Sequence, residues 1–406
     1  MGFLVSADAR ILLQTRGLRA FADGMVSVVL SVFLTTLGMS EVQIGAIVTA
    51  TLLGSAVTTL VIGLKGHRIP RRTLLMAATL LMAATGIGFA VISTFWGLVI
   101  VGLVGTLNPS GGDVSLFLPT EQALLPGTMP DRQRTSLFAR YALVGSLVAA
   151  VGSLCAGLPE WLARRYDIDS ANALRVPFVI YALLAGVIAL RYRHLSASIE
   201  PASTQSVALH DSRWIVYRLA VLFSVDSFGG GFVITALLVV WLQNRFGLSL
   251  AVSGAIFFWA GLLSAFSALV AARIAGRIGL VRTMVYTHLP ANGLLIATAF
   301  MPTVWLAVGC LLLRSALSQM DVPARTSYVM AVVTPAERPA AASVTNVPRS
   351  LASAVPPIFA GWMLARTTFG WPLVIGGAIK ATYDLLLLAQ FREVRPPEEI
   401  TTASAR

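Results

Sequence analysis

Apolar positions in this chain do not alternate with polar ones. They run nearly unbroken through twelve segments, approximately 18–38, 43–64, 73–95, 97–118, 136–157, 174–190, 215–242, 250–272, 283–301, 304–324, 340–364 and 372–390. Each is close to the roughly twenty residues that about 30 Å of hydrocarbon demands of a helix. The pattern predicts an all-α integral membrane protein with twelve transmembrane helices. An even number of crossings puts both termini on one side. The polar stretch 194–213 divides the chain near its midpoint and contains the linker-like run Glu200-Pro201-Ala202-Ser203-Thr204-Gln205-Ser206. The expected organisation is a six-helix bundle over 1–193, a linker over 194–213 and a second bundle with a short tail over 214–406.

Composition agrees with lipid as the solvent: 56% of the 406 residues are hydrophobic and only 12% are charged. The net charge of +12 would suit a nucleic-acid partner only if the basic side chains shared one exposed face. They are instead dealt out to the short loops, and no nucleic-acid-binding signature accompanies them. Twenty-one loop lysines and arginines fall on the side holding the termini and five, Arg164, Arg165, Arg175, Arg245 and Arg366, on the other. Because basic loops resist translocation, both termini are expected in the cytoplasm of a multi-pass plasma (inner) membrane protein. Cys155 and Cys310 lie in apolar runs of different halves, so no disulfide framework is implied. The start of the chain has no secretory cleavage pattern; Met1-Gly2-Phe3-Leu4-Val5-Ser6 fits a myristoylation pattern that a chain already spanning the membrane has little use for.

The halves resemble each other. Ser40-Glu41-Val42-Gln43-Ile44-Gly45 opens the second run, and 209 positions later Ser249-Leu250-Ala251-Val252-Ser253-Gly254 opens the eighth. At the same offset Arg68 falls on Arg277, which is what a duplicated six-helix unit would leave.

On these features the chain resembles the major facilitator superfamily over essentially its full length. The family's signature after the second helix, Gly-x-x-x-Asp-Arg-x-Gly-Arg-Arg, is matched at Gly63, Arg68, Arg71 and Arg72, while His67 replaces the acid and Pro70 the second glycine. The second copy keeps Arg277 and Gly279 without an acid. The glycine-proline signature of family exporters is not found in the fifth run. The resemblance implies two pseudo-symmetric six-helix bundles acting by alternating access, as a monomer with no cofactor, on a small-molecule substrate. It also implies that helices one, four, seven and ten line a central cavity.

Charges inside hydrocarbon cost at least about 2.5 to 3.5 kcal/mol each, so their positions point to a polar interior or to partners. Asp23, Asp113, Asp226 and Asp321 fall one each on runs one, four, seven and ten. Asp23 is read either as a proton or substrate group or as a structural partner of Arg19. Arg314, Ser318, Asp321 and Arg325 share one face of a continuous tenth helix. Arg314 and Arg349 are candidates for holding an anionic group, with Gln319 beside them. Counting outward from the loops, Asp321 is expected to meet Arg349 as a buried charge pair in the proton-coupling or substrate cavity, and Glu121 to meet Arg140 as a gating or structural ion pair. Lys380 and Asp384, one turn apart, read as a mutual salt bridge. Asn108-Pro109-Ser110-Gly111-Gly112-Asp113 and Asp226-Ser227-Phe228-Gly229-Gly230-Gly231 predict broken helices, which membrane proteins tolerate where protein or water satisfies the backbone.

Four scattered histidines without an HExxH pattern provide no metal site, and there is no phosphate-binding loop for ATP. The expected function is therefore secondary active transport rather than enzymatic catalysis. Proton-coupled export of a small organic compound leads, with proton binding at Asp226, Asp23 or both. Uptake of an organic anion is the second reading, and a non-transporting membrane sensor or lipid-moving protein the third.

Overall fold

The computed structural model describes residues 6–65, 69–110, 117–128, 134–196, 209–210, 212–334 and 337–391, and each predicted apolar run coincides with one helical crossing. The first three are α1 (Ala7–Thr36), α2 (Glu41–Lys65) and α3 (Arg71–Val91). The fourth is α4 (Phe95–Val104) followed, past a break, by α5 (Phe117–Leu124). α6 (Arg134–Leu154) with α7 (Leu158–Tyr166) makes the fifth, and α8 (Ser170–Ala173) with α9 (Val176–Tyr192) the sixth. The seventh is α10 (Arg213–Gly231) and α11 (Thr235–Phe246); α12 (Leu250–Ile278) and α13 (Leu280–Phe300) are the eighth and ninth. α14 (Val304–Ser318) and α15 (Asp321–Val332) form the tenth, α16 (Arg338–Ala354) and α17 (Pro356–Leu364) the eleventh, and α18 (Trp371–Phe391) the twelfth.

Among the described residues, eight crossings are long and apolar enough to span a bilayer on composition alone; the fourth, ninth, tenth and eleventh are not among them. Large apolar groups stand fully outward, among them Leu80, Leu183 and Trp305, the last 82% exposed. Lipid is the environment in which such a surface carries no penalty.

The duplication is visible in how helices end and begin. Gly38 closes the first crossing at φ +80° and Gly247 closes the seventh at φ +64°, a conformation that favours glycine. Two residues after each comes a serine cap: the Gln43 amide donates to Ser40 Oγ at 3.4 Å, and the Val252 amide donates to Ser249 Oγ at 3.3 Å. In the first copy the Gln43 side chain answers by accepting from the Ser40 amide at 3.0 Å, completing a capping box.

The chain forms two compact units, one comprising Met1–Thr204 with Ile234–Trp259 and the other Gln205–Val233 with Ala260–Arg406. Within the first, α1 and α6 approach so closely that a Cβ at Gly24 would overlap the Ala149 backbone; Ser153 Oγ donates to the Gly24 carbonyl at 3.1 Å. In crossing four the helix ends at Val104, ahead of Asn108 and Pro109, while Gly111–Asp113 lie outside the described residues. In crossing seven the Asp226–Gly231 run stays helical and the chain breaks just beyond it, at Phe232–Ile234, and within this unit the two breaks satisfy one another. Thr235 Oγ1 donates to the Ser110 carbonyl at 3.0 Å and the Ala236 amide to the Pro109 carbonyl at 3.3 Å. Tyr181 Oη donates to the Thr106 carbonyl at 3.1 Å, so backbone freed at membrane depth finds partners in protein.

Candidate functional site

In the second unit a buried polar network forms around Asp226, and the glycines after it explain why. Gly229 on α10 and Gly376 on α18 face each other: a Cβ built on either would come within 3.0 Å of the other's carbonyl oxygen. The two helices therefore touch backbone to backbone. Asp226 lies three residues before one glycine and Lys380 four after the other, and Lys380 Nζ donates to Asp226 Oδ1 at 2.5 Å and to its carbonyl at 3.3 Å. The expected Lys380–Asp384 bridge is thus corrected; close helix packing offers the lysine a better-placed carboxylate than its own turn does.

The tenth crossing is divided at Gln319–Met320 rather than continuous, and Asp321 opens α15. Arg325, one turn on, donates to Asp226 Oδ2 at 3.2 Å and lies 3.4 Å from Asp321. Asp321 is therefore paired with its own helix and not with Arg349, which overturns the second expected pair. Arg349 Nε donates to Ser227 Oγ at 3.2 Å and its Nη1 to Asn346 Oδ1 at 3.2 Å, both neutral acceptors. Arg314 Nε is buried and makes no hydrogen bond. Asn346, Arg349, Ser350 and Ser353 recur on one face of α16, giving this crossing a polar stripe with Asn346 exposed.

His288 on α13, which the sequence reading left unassigned, joins the network. Its Nδ1 lies 2.9 and 3.1 Å from the two Asp384 oxygens, and Nε2 lies 3.9 Å from Asp226 Oδ1. Asn292, one turn on, donates to Asp384 Oδ2 at 2.8 Å. His288 and Asn292 at i, i+4 were the available signal, since two polar side chains on one face of an otherwise apolar crossing need a common partner. A close approach at Gly377, where a Cβ would lie 3.1 Å from the Asn292 carbonyl, brings α13 and α18 together. Beside the charges lies an apolar core of Val216, Leu219, Phe223, Met284, Tyr328 and Leu387, which gives the network low-dielectric walls on one flank.

The first unit holds a second, sealed cluster. Glu121 is 0% exposed and receives Arg19 Nη2 at 2.6 Å, Tyr192 Oη at 2.5 Å, Thr15 Oγ1 at 3.0 Å and Tyr141 Oη. The expected Glu121–Arg140 pair is corrected: Arg140 is exposed on α6, whereas Arg19 on α1 reaches the acid. Arg19 is thereby engaged with Glu121 and not reserved for Asp23, which is itself 7% exposed on the same helix. A buried acid that accepts from one guanidinium and three hydroxyls reads as a structural lock.

Among the other expected positions, Gln319 is exposed at the break in the tenth crossing, and Asp113 lies outside the described residues, as does Met1–Val5 of the myristoylation pattern. Of the loop signature, Arg68 also lies outside them. Gly63 is exposed near the end of α2, Arg71 and Arg72 open α3, and Arg72 Nη2 donates to the Arg193 carbonyl at 2.5 Å. Arg277 sits in the last turn of α12 and Gly279, at φ +88°, turns the chain into α13.

The model of the Major Facilitator Superfamily matches residues 15–314 and 219–406. An uncharacterized membrane protein of Saccharomyces cerevisiae is 26% identical over 426 residues, covering 95% of this chain and 94% of that protein. Similar solved structures include a bacterial homologue of the human lysosomal transporter Spinster in an inward-facing, occupied conformation, with TM-score 0.73 at 15% identity over 95% of this chain and 97% of that one. The nucleoside transporter NupG superposes with TM-score 0.72 at 14% identity over 95% and 99%, and a D-xylose–proton symporter with 0.71 at 15% over 93% and 96%. At these identities the three structures share the fold.

Proposed function

The chain belongs to the Major Facilitator Superfamily, and from that premise we propose that it is a secondary transporter moving a small organic anion by alternating access. Two six-helix bundles, 1–193 and 214–406, rock about a central site, joined by the linker 194–213. The protein works as a monomer in the plasma membrane with both termini cytoplasmic, the orientation that its loop arginines favour. A proton gradient supplies the drive.

The observation that carries this reading is a charge imbalance in the second unit. Asp226, Asp321 and Asp384 stand against Lys380, Arg325, Arg314 and Arg349. Lys380 and Arg325 are matched by carboxylates, while Arg349 is held by neutral oxygens and Arg314 Nε by nothing in the second unit. Half-buried arginine forks without a carboxylate are suited to a planar anionic group of a passing solute. This observation moves the organic anion ahead of an uncharged or cationic cargo.

A thermal-shift screen of the purified protein tests it, using solute sets matched in size and differing in charge. Anions should raise the apparent Tm, with about 2.7 kcal/mol of stabilisation at a hundredfold excess over Kd. R314Q and R349Q should each weaken the best anion at least tenfold, and the same anion should be carried into proteoliposomes. Stabilisation by neutral or cationic solutes alone would overturn the assignment.

A further inference from the structure

Resting on the transporter reading, we infer that His288 and Asp384 form the proton-binding site that couples the gradient to the anion. These residues sit on the ninth and twelfth crossings, outside the four helices on which the sequence placed its candidate acids. The geometry assigns each ring nitrogen a separate task. With both Asp384 oxygens within hydrogen-bond distance of Nδ1, the neutral imidazole keeps its proton there and donates it to the carboxylate. Asn292 donates to the same carboxylate and fixes its orientation. Nε2 is then the lone pair, and it points toward Asp226 Oδ1 at 3.9 Å. A proton arriving on Nε2 makes an imidazolium between two carboxylates, with no other bond formed or broken.

The surroundings make that event consequential. Asp226 is already shared by Lys380 from α18 and Arg325 from α15, so a charged His288 becomes a third cation competing for it. Asp321 holds the far side of Arg325, and Tyr383, its ring 6.2 Å from the imidazole, has a buried hydroxyl without a hydrogen-bond partner. Arg314 on α14 and Arg349 on α16 complete the charged set, and Tyr328 on α15 lies in the adjoining core. Protonation therefore adds positive charge to a network that already carries one cation in excess. An anion at Arg314 and Arg349 offsets it. Proton and anion consequently strengthen each other's binding by the same factor, as linkage requires, which makes the carrier a proton–anion symporter in the thermodynamic sense.

Two measurements test this without a known cargo. Histidine-selective 15N NMR on the H67Q/H194Q/H210Q variant, in which His288 is the one histidine left, should show the ring gaining a second proton on Nε2 as the medium is acidified. In proteoliposomes on a solid-supported membrane, a pH jump without solute should give a charge transient that H288Q removes and D384N shifts in midpoint. Inorganic phosphate, sulfate and acetate, each added as a probe, should raise that midpoint if they bind at the arginines. A ring locked in one protonation state across the range, or a transient unchanged by H288Q, would overturn the proton site even if anions still stabilise the protein. A His288-dependent transient that no anion moves, with no anion stabilising the protein, would instead keep the proton site and remove the anion reading.

Discussion

Replacing Asp226 by asparagine should abolish solute flux and lower stability by about 3 to 5 kcal/mol, the cost of leaving buried charge without its partner. The size follows from what the carboxylate does. It neutralises Lys380 at 2.5 Å and shares Arg325, at 3.2 Å, with Asp321 in a site where it is itself 5% exposed, so the amide would strand Lys380 and leave Arg325 with Asp321 alone. Lys380→Met in the D226N background should recover much of the stability, since one stranded cation is removed and an apolar chain of similar volume fills its place. It should not recover flux. Lys380→Met alone should cost less than D226N, because Arg325 still faces the acid. Apparent Tm in detergent together with flux into proteoliposomes separates these outcomes. Equal stability of D226N and the unaltered protein would show that the network is hydrated.

Glu121→Gln should be nearly as damaging to the folded state, by about 3 to 5 kcal/mol, through a different unit of the chain. Arg19 is 1% exposed and its guanidinium is the only cation held by Glu121 among the described residues. Two tyrosine hydroxyls and a threonine hydroxyl also converge on the acid, and the amide nitrogen would turn a donor toward donors. The double change Arg19→Met with Glu121→Leu removes both charges and should restore most of the loss. The readout is the fraction of monodisperse protein surviving a heating step. Failure of the double change to improve on E121Q would mean that the tyrosines, and not the ion pair, hold this cluster.

The elements were more legible in the sequence than their contacts. Crossing number follows from apolar length, which the bilayer imposes directly. The breaks in crossings four and seven follow from Pro109 and the Gly229–Gly231 run, whose backbone effects are local. The break at Gln319–Met320 had a marker as well, left unread: Pro323 has no amide hydrogen for the Gln319 carbonyl four residues earlier, and its ring crowds that carbonyl.

The ion pairs were misassigned for a common reason. Counting outward from a loop assumes that a charge pairs within its turn or with the next helix in sequence. Arg19 instead reaches Glu121 across more than a hundred residues, and Lys380 reaches Asp226 because two glycines let α10 and α18 touch. The Gly-Gly-Gly run was read as a loosening device. It is also the contact that places the lysine. His288 counted only as one of four scattered histidines, because its partner Asp384 lies on a helix that no sequence spacing ties to it.

The claim beneath all of this is that lipid surrounds the crossings and that their polar groups turn to a shared aqueous path. Cysteine accessibility tests it most directly. In a C155S/C310S background, single cysteines replace Asn346 and Ser350 on the polar face of α16, or Leu80 and Leu183 on outward apolar faces. A charged, membrane-impermeant maleimide is then applied to vesicles of both orientations. The first pair should be modified from at least one side and the second pair from neither. Modification at Leu80 and Leu183 with protection at Asn346 and Ser350 would contradict the account.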